Sequence, residues 1–218
     1  MEAVKTTFVE VERRTPGVLY EPVEQNEKQR IAILVMHSDE NYLSFPTGSE
    51  MAGRGYTVLC ANVMNKEGII FSQDDKMKSV KAAVQYLRSL PYVEKVLLMG
   101  HSGGGTLMSA YQAIAENGAK IFQGQEKIIP YSGDEDLPAA DGILLLDSNW
   151  GNAAMQLFSL DPAIEDEHSG VRINEELNLF NPDNGFNPEG STYSQEFIEK
   201  FQKAQSERNC CLVDYALN

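Results

Sequence analysis

"VLLMGHSGGGTLMSAYQAIAENG", residues 96–118, passes from an apolar run through a bend of Gly, His and Ser into a helical pattern of small residues. Gly100, Gly103, Gly104 and Gly105 surround one serine, Ser102. The spacing Gly100-His101-Ser102-Gly103-Gly104 fits G-x-S-x-G, in which a serine sits on a tight strand-to-helix turn. A nucleophile held there takes a strained backbone conformation, and side chains two positions away on either side would collide across so sharp a turn. Glycine relieves both problems. The helix that follows starts beside the serine, so its free N–H groups point at any oxyanion formed there, with the Gly103 N–H as first donor. A glycine-rich turn that merely packs a helix against a sheet would use the same residue types. The apolar strand before the bend and the helix after it favour the nucleophile.

Two phosphate-binding motifs compete for these glycines, and both fail. A Walker loop needs a Lys before its Ser/Thr, whereas Gly105 directly precedes Thr106. A dinucleotide fingerprint needs G-x-G-x-x-G, a spacing that glycines at 100, 103, 104 and 105 do not supply.

Outward from the bend, strands and helices alternate. "TTFVEVE" (6–12) and "GVLYEPV" (17–23) read as an antiparallel hairpin. "RIAILVM" (30–36), "GYTVLCANV" (55–63), "VEKVLLMG" (93–100) and "DGILLLDS" (141–148) are apolar enough for strands covered on both faces. A short helix at about 47–54 should end at Gly55, and a longer one at 72–91, capped by Ser72 or Asp74, should stop at Pro91. The helix after the bend covers about 104–116 and ends near Gly118. The fold class is therefore α/β, a mostly parallel central sheet with helices on both faces. After Trp150 the chain becomes rich in Asn, Pro and Gly: a helix near 151–159, an irregular stretch, then a helical pattern over 194–218 with Phe197, Phe201 and Ala204 on one face. The domain reading is a core with the elbow over 1–150, followed over 151–218 by a lid-like insertion and a C-terminal helix. An ordinary surface insertion fits the irregular stretch as well as a lid does.

Composition narrows the function classes. The 218 residues carry a net charge of −14, which disfavours nucleic acid and anionic membrane as partners. No run of about 18 apolar residues occurs, so no spanning helix is expected. The start "MEAVKTTFVEVERR" lacks an apolar signal core, and a cytoplasmic location is expected. Cys60, Cys210 and Cys211 make neither a disulfide framework nor a zinc spacing, and the vicinal pair should stay reduced. The pattern calls for no metal and no cofactor, and the partner expected is a small-molecule substrate.

The order of elements over 6–150, with "VMHSDEN" after the first central strand, "GHSGGG" after the third and "ILLLDSNWG" after the fourth, resembles the α/β-hydrolase superfamily, including uncharacterised bacterial members. The resemblance implies a serine hydrolase with Ser102 as nucleophile. It also implies that the loop His37-Ser38-Asp39 helps to form the oxyanion hole, with Asp39 N–H as second donor and His37 ordering the loop. His37, Ser38, His101, Trp150 and Met155 would line the substrate pocket.

A triad also needs an acid and then a base after the serine in chain order. Asp147 is the candidate acid, although a polar residue at a strand end can equally cap the next helix. His168 is the only histidine after Ser102, so it is the candidate base, in an acidic stretch that suits a solvated loop histidine too. "ILLLD" has the texture of a strand with neighbours on both sides, and the resemblance implies two further strands carrying the acid and the histidine. Residues 151–218 offer no such pair, so the sequence reads as a hydrolase cut short before its C-terminal strands. Two functions stand side by side: ester-like bond hydrolysis through Ser102 on a small, fairly apolar substrate, and an impaired or non-catalytic hydrolase fold lacking the triad histidine. An apolar edge at 143–147 would also promote self-association.

Overall fold

The computed structural model describes residues 3–12, 15–63, 72–124, 127, 130–166 and 172–218. The chain divides into two compact units, Met1–Asn149 and Trp150–Asn218. The first holds strands β1 (Val4–Val11), β2 (Thr15–Pro22), β3 (Ile31–Met36), β4 (Thr57–Ala61), β5 (Lys95–His101) and β6 (Gly142–Leu146), with helices α1 (Thr47–Ala52), α2 (Gln73–Ser89) and α3 (Gly103–Asn117). The second holds α4 (Asn152–Ser159) and α5 (Gln195–Leu217).

The six strands form one sheet in the order β1-β2-β4-β3-β5-β6. β1 pairs antiparallel with β2, and β2 antiparallel with β4; every other pairing is parallel. Period-2 alternation sorts the central strands into two apolar faces. Ala32, Leu34, Met36, Leu59, Val96 and Leu98 face α2 and α3, which contribute Val80, Val84, Leu87, Met108, Tyr111 and Ile114. Ile33, Val35, Val58, Cys60 and Met99 face the other way, where Ala52 of α1 and Tyr42 cover them. Leu34 is wholly buried, so truncating it to Ala would remove about 2–5 kcal/mol. The register sets Met36 beside Gly100 and Gly100 beside Leu145. The loops that leave β3, β5 and β6 therefore emerge together at one end of the sheet.

Helix limits follow their local signals. The Ser72 side chain accepts from the Asp75 N–H and starts α2, and Pro91 lies just beyond its end. α3 ends at Gly118, whose φ of 78° suits glycine. α1 is shorter than the expected 47–54: it stops at Ala52, and the chain then turns through Gly55 at φ 101°.

The structure shows the apolar edge expected at 143–147: although the texture of "ILLLD" suits a strand with two neighbours, among the described residues β6 pairs only with β5 and lies at the edge of the sheet. Leu145 is 55% exposed and Leu146 38%. Continuous apolar character reports what a strand can bury, not whether a neighbour is present to bury it.

In the second unit the irregular stretch is held by side-chain to backbone bonds. Asn181 and Asn184 both donate to the Glu175 carbonyl oxygen, and the Tyr193 hydroxyl donates to that of Leu179. Gln205 of α5, itself buried, donates to the carbonyls of Phe158 and Leu160 at the end of α4. Among the described residues, extended pairing in this unit is limited to one bridge between Ile164 and Ile173. No described helix is long and apolar enough to cross a membrane.

Candidate active site

Ser102 lies between the last residue of β5 and the first of α3, with φ 53° and ψ −123°. A positive φ is costly for a non-glycine residue and persists only where the surroundings over-determine it. Here they do. A Cβ on Gly100 would stand 2.5 Å from the Gly104 carbonyl oxygen and from the Gly105 Cα. On Gly104 it would run into the carbonyl oxygen of Met36, and on Gly105 into the Ser148 side chain. On Gly103 it would lie 2.7 Å from Ser38 Oγ. Each glycine thus lets a different piece of backbone or loop close on the bend. The Ser102 N–H donates to the Leu146 carbonyl, and its carbonyl accepts from the N–H groups of Gly105 and Asn149, all at 3.1–3.2 Å.

Ser102 is half-buried, and among the described residues no group hydrogen-bonds to its hydroxyl. It occupies the N-cap position of α3 without capping it. The first amides of a helix have no acceptor within it, and the N–H of Gly103, the first helical residue, is one of them.

The loop after β3 packs against this bend. His37 Nδ1 accepts from the N–H of Asp39 at 3.1 Å and from that of Glu40 at 2.9 Å, which makes His37 the residue that orders the loop. The same bond turns the Asp39 N–H inward to the imidazole, so the expected second oxyanion donor is already engaged. Burial pushes the His37 pKa down, against the pull of Asp39 and Glu40. Asp39 accepts from the Ser38 hydroxyl at 2.6 Å and from Lys76 Nζ at 2.9 Å. Burial opposes its ionisation, but the Ser38 hydroxyl and the Lys76 ammonium prevail and hold its pKa below the ordinary aspartate value.

His101 leaves the bend on the side of α1. Its Nδ1 shares a hydrogen bond of 2.5 Å with the Tyr42 hydroxyl, and its ring lies 5.1 Å from that of Phe45. Tyr42 stacks on His37 at 5.0 Å and on Phe45 at 4.4 Å, so two imidazoles and two aromatic rings form one cluster behind the loop. Asp147, the candidate acid, is exposed at the end of β6 with φ 44°. His168, the candidate base, lies outside the described residues. Trp150 and Met155 belong to the second unit, where they are exposed, and Trp150 meets Phe158 edge-on at 5.6 Å. Two cavities of the first unit lie elsewhere. One of about 330 Å³ is lined by Met77, Ile114, Phe122 and Tyr131, another of about 230 Å³ by Thr15, Lys78, Lys81 and Asp134, and neither reaches Ser102 or His37. All three cysteines are free, and burial pushes the Cys60 thiol up to about 12.

Sequence reasoning missed Tyr42, Lys76 and Ser148. Lys76 left a signal: it sits in helical register with Val80, Ala83 and Leu87, a lysine on the buried stripe of α2. Tyr42 and Ser148 left none, because only the folded chain brings them to the bend.

No protein-family model and no curated protein matches this sequence. Solved structures do. Esterase B from Lactobacillus rhamnosis, in an inhibited form, is 16% identical over 73% of this chain and 55% of its own, with a TM-score of 0.50. Brefeldin A esterase, a bacterial homologue of human hormone-sensitive lipase, is 15% identical over 52% of this chain and 35% of its own, at 0.43. Est1E from Butyrivibrio proteoclasticus is 20% identical over 51% of this chain and 46% of its own, at 0.38. The chain thus spans about half the length of esterase B and less than half that of the other two. The sheet with its parallel crossovers, together with the likeness to esterase B, shows that this chain has the fold of the α/β-hydrolase superfamily.

Proposed function

We propose that this chain is a serine hydrolase of the α/β type, acting on an ester-like bond of a small, fairly apolar substrate with Ser102 as nucleophile. The observation that carries the proposal is the conformation of Ser102: a non-glycine residue at φ 53°, between a central parallel strand and the start of a helix, enclosed by four glycines. The esterase in the name of esterase B agrees with an ester-like bond.

In the proposed reaction Ser102 Oγ forms a bond to the carbonyl carbon while its proton passes to a general base. The carbonyl π pair moves onto oxygen, where the Gly103 N–H stabilises the charge. Collapse expels the alcohol, which takes the proton from the base, and water repeats the sequence on the acyl-enzyme. His168 is the proposed base and Asp147 the proposed acid, since both follow Ser102 in the chain order of the fold.

The test is fluorophosphonate labelling of monodisperse protein beside Ser102→Ala and His168→Ala. Fast labelling abolished by Ser102→Ala is the expected result, and labelling that survives it would remove Ser102 from the mechanism. One observation favours a second reading, a hydrolase fold without turnover: His37 Nδ1 accepts two backbone N–H groups, so its Nε2 carries the proton and cannot take one from Ser102, and no described residue hydrogen-bonds to the Ser102 hydroxyl. A wild type that labels no faster than Ser102→Ala would establish that reading.

A further inference from the structure

We infer that His37 supplies the second oxyanion donor, through its Nε2–H, in the place expected of the Asp39 amide. The inference rests on the reading of Ser102 as nucleophile. It starts from a question of tautomers. Two backbone N–H groups, of Asp39 and Glu40, donate to His37 Nδ1. A nitrogen that accepts must hold a lone pair, so in the neutral ring the proton sits on Nε2. Burial, which lowers the His37 pKa, supports the neutral form. Nε2 is then a donor and, among the described residues, it has no acceptor.

That free donor lies beside the bend. Nε2 lies 3.2 Å, and Cε1 3.3 Å, from the point where a Cβ on Gly103 would stand. The imidazole edge thus fills the space beside the residue whose own N–H is the first donor. Stacking on Tyr42 and the two Nδ1 bonds fix the ring plane, so Nε2–H is oriented before any substrate arrives. Donors aimed in advance at developing charge need no reorganisation in the transition state, which is what gives an oxyanion hole its effect. The Asp39 N–H cannot take this part while it holds Nδ1. One ring therefore does two jobs: Nδ1 shapes the loop, and Nε2–H meets the carbonyl oxygen as the π pair moves onto it.

The two jobs separate in one variant. In His37→Asn the amide oxygen can replace Nδ1 as acceptor for the Asp39 and Glu40 amides, but nothing replaces Nε2–H. With a p-nitrophenyl ester as substrate, kcat should fall about 10²-fold with KM little changed, as for loss of one oxyanion donor. In the wild type, long-range ¹H–¹⁵N correlation should place the proton on Nε2, and an arylboronic acid that adds to Ser102 should shift that proton's resonance. A His37→Asn variant that keeps kcat within about threefold of wild type would overturn the inference alone, provided that Ser102→Ala is inactive. So would a proton on Nδ1, or a boronate adduct that leaves the Nε2–H signal unmoved. Those wild-type measurements decide the matter even if His37→Asn does not fold. A wild type with neither turnover nor a Ser102-dependent adduct would sink the nucleophile reading and the His37 role with it.

Discussion

Strands β5 and β6 lie side by side and end in the same way: each runs into a non-glycine residue at positive φ, Ser102 at 53° and Asp147 at 44°. The surroundings differ. Ser102 is half-buried and closed in by four glycines, the loop after β3 and the first turn of α3. Asp147 is exposed, and its neighbours Leu146 and Asn149 are tied to the bend through Ser102 N–H and Ser102 carbonyl. The positive φ at Ser102 is held by packing from several directions, whereas that at Asp147 sits on an exposed residue. A similar φ thus occurs in two settings, one enclosed and one exposed.

The sharpest way to break that contrast is to crowd the bend. Gly104→Ala drives its Cβ into the backbone oxygen of Met36, which cannot swing aside as a side chain would. A loss of about 3 kcal/mol or more is expected in urea denaturation, and a variant as stable as wild type would show that the bend tolerates movement. At the other strand end the response should be smaller. Asp147→Val, with a β-branched residue at φ 44°, should cost about 1–2 kcal/mol by the same measurement. Asp147→Gly should be neutral or stabilising by less than about 1 kcal/mol. If valine were tolerated there, the strain at Asp147 would be too small to matter.

The support given to the elbow by the loop after β3 can be tested by pH. Burial depresses the folded-state pKa of His37 below the ordinary histidine value of about 6.5. Between the two pKa values the unfolded chain binds the extra proton and the folded chain does not, so protonation favours unfolding. The stability advantage of wild type over His37→Asn should be complete above about pH 6.5 and shrink as pH falls toward the folded-state pKa. Thermal melts across that window report it; an advantage that grows with acidity would reverse the sign and refute a neutral, loop-bracing His37. The smallest effect is expected at the β6 edge. Leu145→Lys should change stability by within about 0.5 kcal/mol because the side chain is already exposed, while reducing self-association in sedimentation velocity. Unchanged association would mean that this edge is not sticky.

What could be read in advance was local. Residues that bury one or both faces of a strand, or one stripe of a helix, repeat with the geometry of that element, so β1 to β6 and α1 to α5 are visible in the chain within a few residues. The turn at Ser102 is legible for the same reason, since its glycines lie within three positions of the serine. Which atom each glycine avoids is another matter: for Gly104 it is the oxygen of Met36 and for Gly105 the side chain of Ser148, both far away in sequence.

By itself, then, the sequence determined the α/β class, the strand-and-helix order and the position of the bend, because these depend on periodicity and on short-range sterics. The tertiary structure alone decided that the backbone takes a positive φ at Asp147. It also turned the Asp39 amide toward His37, paired His101 with Tyr42 and buried Lys76 against Asp39. Each of these rests on a meeting between groups that no local spacing brings together. The direction of one hydrogen bond, and with it the placement of one proton on His37, is fixed only when the loop after β3 closes on its own ring.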